Sequence, residues 1–253
     1  MDDIYFYQKA SFECGINPDA LRGKRTVLLI SVGQDYHESD KLVATITLIN
    51  ASDFAECTIA VADTLQQHNR EDPKPEQNRM LTYQPGEDWL QRNDARIKAL
   101  RIPHNILRWD EARFNSSCSS FYLAVKRAYQ EETDYRSAVD ETIARFTERA
   151  LKRNPGLVIS ELKTKCLNYL LEECPIIMPM WASRGYEFII YPQPVTSAML
   201  ATRTRFVAGA YPGKAQWLSL RFRRRSIPIR LSVLSESANQ NRHPYQQDEK
   251  HEA

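Results

Sequence analysis

The chain has 253 residues, of which 42% are hydrophobic and 26% charged, and its formal net charge is +2. This composition is ordinary for a soluble globular protein, and the small net charge means that a local patch must meet any acidic partner. No apolar run approaches the ~18 residues of a membrane-spanning helix, and the start MDDIYFYQKA lacks the pattern of a secretory signal.

The cysteines and histidines argue against a disulfide scaffold and against a metal site. Five cysteines are scattered along the chain without a CxxC pair, and the five histidines form no HExxH or paired spacing. We therefore expect no metal ion, and a reducing cytoplasmic location fits the free thiols best.

Hydrophobic periodicity and turn residues predict alternating strands and helices along the chain. The first twenty or so residues read as a lead-in arm, and 70–85, rich in Asp, Pro, Gln and Asn, reads as an exposed loop. Strands are predicted at 25–31, 57–62, 105–109, 186–191, 216–224 and 227–233. Helices are predicted at 40–51, 88–101, 118–130, 134–153, 160–174 and near Ser197.

This alternation predicts a Rossmann-like α/β fold with a mostly parallel central sheet flanked by helices. Residues 1–235 are expected to form one catalytic domain, since a chain of this length buries a sizeable core. The polar stretch 236–253 is almost free of apolar residues, and we expect a disordered tail there.

The most informative segment is RTVLLISVGQDYH, residues 25–37. Its apolar run is typical of a buried parallel strand, and the run ends at Ser31 before a glycine-containing polar turn. Open α/β sheets place their ligand sites at the carboxyl ends of such strands, where a nucleophile is useful. Alternatively, Ser31 only satisfies backbone groups of the turn.

A second segment, residues 168–192, carries further polar groups. Tyr169 and Glu173 are four residues apart and share one face of a predicted helix, which Pro175 is expected to close. The later strand ends at Tyr191 and Pro192. Taken alone, a Tyr–Glu pair of this spacing is commonly structural, and the neighbouring Glu172 leaves room for an error of one position.

Together these motifs resemble the tRNA-dependent cyclodipeptide synthases. That family has a serine after the first strand, a Tyr-x-x-x-Glu pair on a helix followed by proline, and a tyrosine leading a later loop. Ser31, Tyr169, Glu173 and Tyr191 occupy those positions in order. Gln34 and the Tyr-Pro pair make the chain similar to the branch that has proline after the late tyrosine. The likeness spans roughly 24–230 and implies a fold related to the catalytic domains of tyrosyl- and tryptophanyl-tRNA synthetases.

The resemblance implies an aminoacyltransferase that joins aminoacyl groups from two aminoacyl-tRNAs into a cyclic dipeptide. Ser31 is the implied nucleophile, which carries first an aminoacyl and then a dipeptidyl ester. Glu173 and Tyr169 are expected to grip the ammonium group, and Tyr191 to pass protons. An aminoacyl-tRNA is already an activated ester, so no cofactor is expected; the sequence has no P-loop, GxGxxG, HIGH or KMSKS motif.

Further residues are expected to bind the substrate. Gly33 and Gln34 follow Ser31, and a family tyrosine on a central helix points to Tyr122, with Tyr129 as a rival. Pocket walls are expected near Val27, Leu29 and the end of the second strand, and Pro192 is a further expected substrate contact. His37 is interpreted as structural or as lining the site, because a Ser31–His37 pair across a short turn has poor geometry.

Two basic stretches are candidate RNA-binding surfaces. The family resemblance implies that the helical patch, Arg92, Arg96, Lys98 and Arg101, binds the tRNA acceptor arm. Residues 203–230 hold eight basic residues and no acid, and in LRFRRRS the arginines at 221, 223 and 225 alternate to one side. A solvated edge strand guarded by charge explains the second stretch equally well.

Two other functions compete with a synthase. One is a tRNA-binding relative of class I synthetases without catalysis. The other is a serine hydrolase, for which the chain lacks a GxSxG elbow and a paired histidine. We expect a monomer, and the amino acids that are joined cannot be read from the pocket positions.

Overall fold

The computed structural model describes residues 4–13, 15–70 and 75–228. Residues 7–225 form one compact unit, and of the second unit, 1–6 with 226–253, only 4–6 and 226–228 are described. The predicted tail at 236–253, the domain boundary at 235 and most of the predicted strand 227–233 lie outside the described residues.

The described chain contains six strands and eight α-helices. The strands are β1 Ile4–Phe12, β2 Arg25–Ser31, β3 Glu56–Ala62, β4 His104–Arg108, β5 Phe188–Tyr191 and β6 Gln216–Pro228. The helices are α1 Ser39–Asn50, α2 Pro75–Ile97, α3 Trp109–Arg113, α4 Ser116–Glu131, α5 Thr133–Arg153, α6 Ile159–Pro175, α7 Trp181–Ser183 and α8 Ser197–Phe206. Short 3₁₀ turns occupy Pro18–Ala20, Asp35–His37 and Thr64–Asn69. No helix among them is both long and apolar enough to cross a bilayer.

The strands form one sheet in the order β1-β6-β5-β2-β3-β4. Pairing is parallel from β6 through β5, β2 and β3 to β4. The chain builds outward from β2 to β3 and β4, and then returns to place β5 on the other side of β2. The crevice between β2 and β5 is therefore the topological switch point, where open α/β sheets bind ligands. The predicted Rossmann-like α/β architecture is confirmed.

Two hydrophobic clusters cover the two faces of the sheet. Successive side chains of a strand point to opposite faces, so Val27 and Leu29 join one cluster while Leu28 and Ile30 join the other. The first cluster includes the segment after α6, and the second includes residues of α1 and α2. β2 is buried on both sides, as its continuous apolar run predicts.

A third cluster joins α4, α5, α6 and α8 into a helical layer. Val125, Val139, Leu170 and Ala198 are among its buried members. This layer fixes α5 and α6 beside each other, so that the polar faces of both helices flank the same end of the sheet.

The loop predicted at 70–85 is wrong from residue 75 onward, because α2 begins at Pro75 and continues through Pro85. Proline removes one helical hydrogen bond, and a partner distant in the sequence supports the backbone nearby. The Arg108 guanidinium donates to the Tyr83 carbonyl at 2.6 Å and to the Asp63 carboxylate, also at 2.6 Å. The local composition of 70–85 does not indicate this contact with Arg108.

Pro175 ends α6 but does not end the helical path, contrary to the sequence-based prediction. The chain continues through a π-helical segment, Ile176–Met180, directly into α7. The wider π turn accommodates the irregular hydrogen bonding that proline imposes. All five residues of the segment are buried under the sheet, so tertiary packing holds a turn that propensity alone disfavours.

The two ends of the described chain also differ from prediction. The expected lead-in arm contains the strand β1, and one strand, β6, runs from Gln216 to Pro228 where two were predicted. Within β6 the predicted alternation is observed, since Arg221 and Arg223 are exposed while Leu220 is buried. In the sheet β6 lies between β1 and β5, but its pairing with β5 ends at Ser219, before the arginines. The charge-guarded edge strand therefore remains an alternative explanation of these arginines.

Candidate active site

Ser31 lies at the carboxyl end of β2, within the crevice between β2 and β5. Its hydroxyl shares a hydrogen bond of 3.0 Å with the Tyr191 hydroxyl at the end of β5. The Tyr191 hydroxyl lies 2.9 Å from that of Tyr36, which belongs to the turn after β2. Three hydroxyl groups therefore form a continuous hydrogen-bonded chain that begins at the predicted nucleophile.

Burial fixes the protonation state of the two phenols in this chain. Loss of hydration raises the pKa of Tyr191 well above its ordinary value, and it raises the pKa of Tyr36 as well. Both phenols stay protonated near neutral pH. They can accept a proton at oxygen while donating their own, which suits a relay rather than a permanent base.

Tyr169 and Glu173 project from α6 into the same cavity. Burial raises the pKa of Glu173 to about 8, an effect that hydrogen bonding from Tyr169 only partly offsets. The pKa of Tyr169 is raised by desolvation and by the neighbouring carboxyl group. Within the described residues Glu173 forms no ion pair, so its carboxyl group is set up to ionise when a cation binds beside it.

The cavity has a volume of about 900 Å³. Ser31, Gln34, Tyr36, Tyr169, Glu173 and Tyr191 are among its lining residues. The four predicted catalytic residues are thus brought together, although Ser31 precedes the other three by more than 130 residues in the chain. The remaining wall comes from the 64–69 turn, from α5 and from the segment 193–199.

The adjacent carboxylate, Glu172, faces a different environment. It accepts hydrogen bonds from Trp109 Nε1 at 2.9 Å and contacts His68 Nε2 at 3.0 Å. It does not line the cavity. This geometry favours Glu173 over its neighbour as the carboxyl group that meets a substrate.

His37 is a buried structural residue in this arrangement. Its backbone carbonyl accepts a hydrogen bond from Trp89 Nε1 at 3.0 Å, and its ring packs against the Tyr36 and Tyr191 rings. Burial lowers the pKa of His37 to about 3, so its imidazole is neutral. Within the described chain it makes no hydrogen bond to Ser31, which disfavours a serine hydrolase pair.

Several predicted substrate contacts lie outside the cavity lining. Val27 and Leu29 are buried in the sheet core, and Gly33 takes a positive φ of 86° in the turn. Pro192 directly follows Tyr191 without lining the cavity. Tyr122 lies on α4 with the Lys126 ammonium 5.1 Å from its ring centroid. Its rival, Tyr129, donates to Asp140 at 3.0 Å.

Tyr36 is one of the cavity residues that the sequence-based reasoning missed. It stands five positions after Ser31 in a polar turn, and that proximity to the nucleophile was the available signal. Arg145, Phe146 and Arg149 of α5 also line the cavity and were not predicted. Nothing in the local sequence of α5 indicates which end of the sheet its polar face meets.

The predicted basic patch, called the α2 patch below, lies elsewhere and is partly neutralised. Only Arg92 and Arg96 are on α2, because the helix ends at Ile97 and not at 101 as predicted; Lys98 and Arg101 follow it. Arg92 pairs with Glu38 at 2.6 Å and Lys98 with Asp94 at 2.8 Å. Arg96 donates to the Asn93 side chain at 3.0 Å. None of these residues, nor Arg101, lines the cavity. In the described residues, no group of three or more His, Cys, Asp or Glu side chains is arranged to hold a metal ion.

No protein-family model matches the chain, and neither does any curated protein. Solved structures do match. A cyclodipeptide synthase from Fluoribacter dumoffii is 31% identical, with a TM-score of 0.82, over 87% of this chain and 100% of that one. A cyclodipeptide synthase from Candidatus Glomeribacter gigasporarum, bound to Phe-tRNAPhe, is 16% identical with a TM-score of 0.65, over 87% and 96%.

A Mycobacterium tuberculosis protein shares the fold at 13% identity and a TM-score of 0.58, over 86% of this chain and 92% of that one. Its structure is described as relating cyclodipeptide synthetases to type I tRNA synthetases. The fold is that of a Rossmann-like α/β protein with a hydroxyl-lined crevice at its switch point. The identity and coverage of the Fluoribacter enzyme show that the chain belongs to the cyclodipeptide synthase family.

Proposed function

We propose that this protein takes aminoacyl groups from two aminoacyl-tRNAs, holds them as esters of Ser31, and releases a cyclic dipeptide. The observation that carries the proposal is the hydrogen-bonded chain Ser31–Tyr191–Tyr36, which faces Tyr169 and Glu173 across one cavity. A nucleophile, a proton relay and an ammonium site are the groups that this reaction requires.

The first step is an exchange of esters. The Ser31 oxygen attacks the carbonyl carbon of the aminoacyl ester, and its proton passes to the Tyr191 oxygen while Tyr191 donates onward. The bond between that carbonyl and the ribose oxygen then breaks, and the ribose oxygen takes up a proton as the tRNA leaves. Because one ester replaces another, the aminoacyl group stays activated, and neither ATP nor a cofactor is needed.

Glu173 orients the aminoacyl group during this step. Its carboxyl group ionises as the substrate ammonium binds, which creates a charge-assisted contact within a site of low polarity. The adjacent Tyr169 hydroxyl supplies the second contact from the same helical face. The positions of the Glu173 carboxyl group and the Tyr169 hydroxyl group therefore determine how the aminoacyl carbonyl carbon is presented to Ser31.

Formation of the dipeptide requires the bound amine to be neutral, so the ammonium first passes one proton to the Glu173 carboxylate. The amine of the aminoacyl-serine attacks the ester carbonyl of the second aminoacyl-tRNA, which releases that tRNA and leaves a dipeptidyl-serine. The free amine of the dipeptide then attacks the serine ester carbonyl. That attack closes the six-membered ring and returns the proton to the Ser31 oxygen through the Tyr191 relay.

Recognition of tRNA is the remaining part of the proposal. A cyclodipeptide synthase of the same fold is known bound to Phe-tRNAPhe, which supports aminoacyl-tRNA as the substrate here. The α2 patch offers positive charge for the acceptor arm, exposed at Arg92, Lys98 and Arg101 and half-buried at Arg96. Its partial pairing with Glu38 and Asp94 leaves Arg96 and Arg101 without a carboxylate partner among the described residues.

A product assay tests the proposal. Purified protein is incubated with a pool of charged aminoacyl-tRNAs without ATP, and cyclic dipeptides are sought by mass spectrometry. We expect a product from the wild type and a loss of at least about 10³-fold in Ser31→Ala, as for removal of a covalent nucleophile.

Ser117→Ala is the matched control, because this exposed serine lies on α4 and does not line the cavity. It should leave product formation unchanged. Binding of tRNA without any cyclic dipeptide would instead indicate a non-catalytic tRNA-binding relative.

A further inference from the structure

Three arginines of α5 line the rim of the active-site cavity. Arg145, Arg149 and Arg153 are spaced four residues apart, so they follow one face of the helix. All three are exposed, and all three line the cavity that contains Ser31. The α2 patch, by contrast, contributes no residue to this cavity.

Two of these arginines carry charge that the protein does not neutralise. Arg149 and Arg153 form no ion pair within the described part of the chain, whereas Arg145 pairs with Glu141. The one carboxylate of α5 that lines the cavity, Glu148, is itself paired with Lys152 at 2.7 Å. The rim therefore presents net positive charge directed toward the cavity.

The arginine side chains are held in an ordered row. The Arg149 guanidinium lies 4.6 Å from the centroid of the Phe146 ring. The Nε groups of Arg149 and Arg153 each donate to the backbone carbonyl one turn earlier, at 3.3 Å. The Cα atoms of successive arginines are spaced by about 6 Å along the helix axis. An anionic polymer laid along this face meets one cation at each turn.

We propose that this arginine row, Arg145, Arg149 and Arg153, binds the phosphates of the unpaired 3′ end of the aminoacyl-tRNA. The inference rests on the proposed function, because an aminoacyl ester at the terminal ribose must enter the cavity to reach Ser31. The phosphates that precede that ribose then lie at the rim. Arginine is well suited to such phosphates because its planar fork makes two parallel hydrogen bonds.

This assignment separates two RNA-binding surfaces by the part of the substrate they meet. The α2 patch is outside the cavity and suits a double-stranded stem, while the α5 row adjoins the reacting group. A solvated helix face is the simplest competing explanation of exposed arginines. The cavity-lining position and the unpaired charge of Arg149 and Arg153 favour an anionic ligand instead.

The test measures binding of two RNA hairpins that carry no amino acid and share an acceptor-like stem. One hairpin has the unpaired 3′ nucleotides and the other lacks them. The wild type should bind the hairpin with the 3′ extension more tightly. In the double variant Arg149→Ala, Arg153→Ala we expect at least about a 10-fold loss for that hairpin and no change for the blunt one. The log–log slope of affinity against salt should become shallower by about 0.7 for each phosphate that the variant no longer neutralises.

Arg136→Ala is the matched control, since Arg136 is an exposed cation of the same helix that neither lines the cavity nor pairs with a carboxylate that does. It should bind both hairpins as the wild type does, and thermal unfolding should confirm that all variants are folded. An equal loss for both hairpins in the double variant, or no loss for either, would overturn the inference.

The outcome remains distinct from that of the proposed function, because this binding needs neither acylation nor Ser31. Cyclic dipeptide from the wild type, together with unchanged binding by the double variant, would overturn the arginine row alone. Binding that depends on the 3′ extension and on both arginines, without any cyclic product, would support the row and contradict the synthase.

Discussion

At the residue scale, the site depends on a carboxyl group whose charge is conditional. Glu173 is buried, and the pKa of its carboxyl group is raised to about 8 by loss of hydration. It is therefore largely protonated near neutral pH. In the proposed function it ionises when the substrate ammonium binds beside it, which avoids an uncompensated buried charge in the free protein.

The raised pKa of Glu173 predicts that the stability of the protein depends on pH. Between pH 4.5, the ordinary pKa, and about pH 8, Glu173 is protonated in the folded state and ionised in the unfolded state. The free energy of unfolding must therefore fall as the pH rises through this window, by at most ~5 kcal/mol. Glu173→Gln removes the titration, so we expect its Tm to exceed that of the wild type at pH 9 by several degrees.

Thermal unfolding of both proteins between pH 5 and pH 9 checks this. The Tm difference should grow with pH, even if the substitution also changes packing by a constant amount. Glu161→Gln, at an exposed position on the same helix, should follow the wild type. Parallel curves for Glu173→Gln and the wild type would show that the carboxyl group does not titrate in this range.

At the element scale, the course of α2 depends on one glycine. A Cβ atom at Gly86 would lie 2.6 Å from Asp63 Cβ and 2.7 Å from Arg108 Nη2. Asp63 and Arg108 form a buried ion pair, and Arg108 also donates to Glu87 at 2.8 Å. Only glycine lets the helix approach that pair closely enough for Arg108 to reach the Tyr83 carbonyl.

We therefore predict that Gly86→Ala destabilises the protein, although helix propensity alone favours alanine by about 1 kcal/mol. The added methyl group must displace a packed ion pair, which costs about 2–4 kcal/mol in overpacking and disturbed charge pairing. Chemical denaturation measures the loss. Gly209→Ala is the control, because a Cβ there meets no atom within 4 Å and should change stability little.

Helix α2 also shows where prediction from sequence stops. Prolines and amides at 70–85 indicate a loop, and that reasoning fails because Arg108 and Asp63, from other elements, stabilise the helix. Prediction of the π-helical segment Ile176–Met180 fails for the same reason, because burial beneath the sheet stabilises that segment. The strands β2 and β3 and the helices α1, α4, α5, α6 and α8 follow their own periodicity and were predicted within a few residues.

At the scale of the whole molecule, the sheet order brings the active-site residues together. Ser31 and Tyr191 are adjacent because β5 returns beside β2, a topology that places both strand ends at the switch point. The order of strands β1 and β6 was not predictable from local patterns, because strand pairing depends on distant contacts. The four catalytic candidates were predicted from family motifs, while Tyr36 and the arginine row required the three-dimensional arrangement.

The proposed function requires that Ser31 carry the aminoacyl group, and peptide mass spectrometry can detect that ester. Protein is mixed with a single aminoacyl-tRNA, quenched in acid, and digested to locate any adduct. We expect a mass increase of one aminoacyl group on the peptide that contains Ser31, and none in Ser31→Ala. Cyclic dipeptide formed by Ser31→Ala at the wild-type rate, with no adduct on the wild type, would contradict the account.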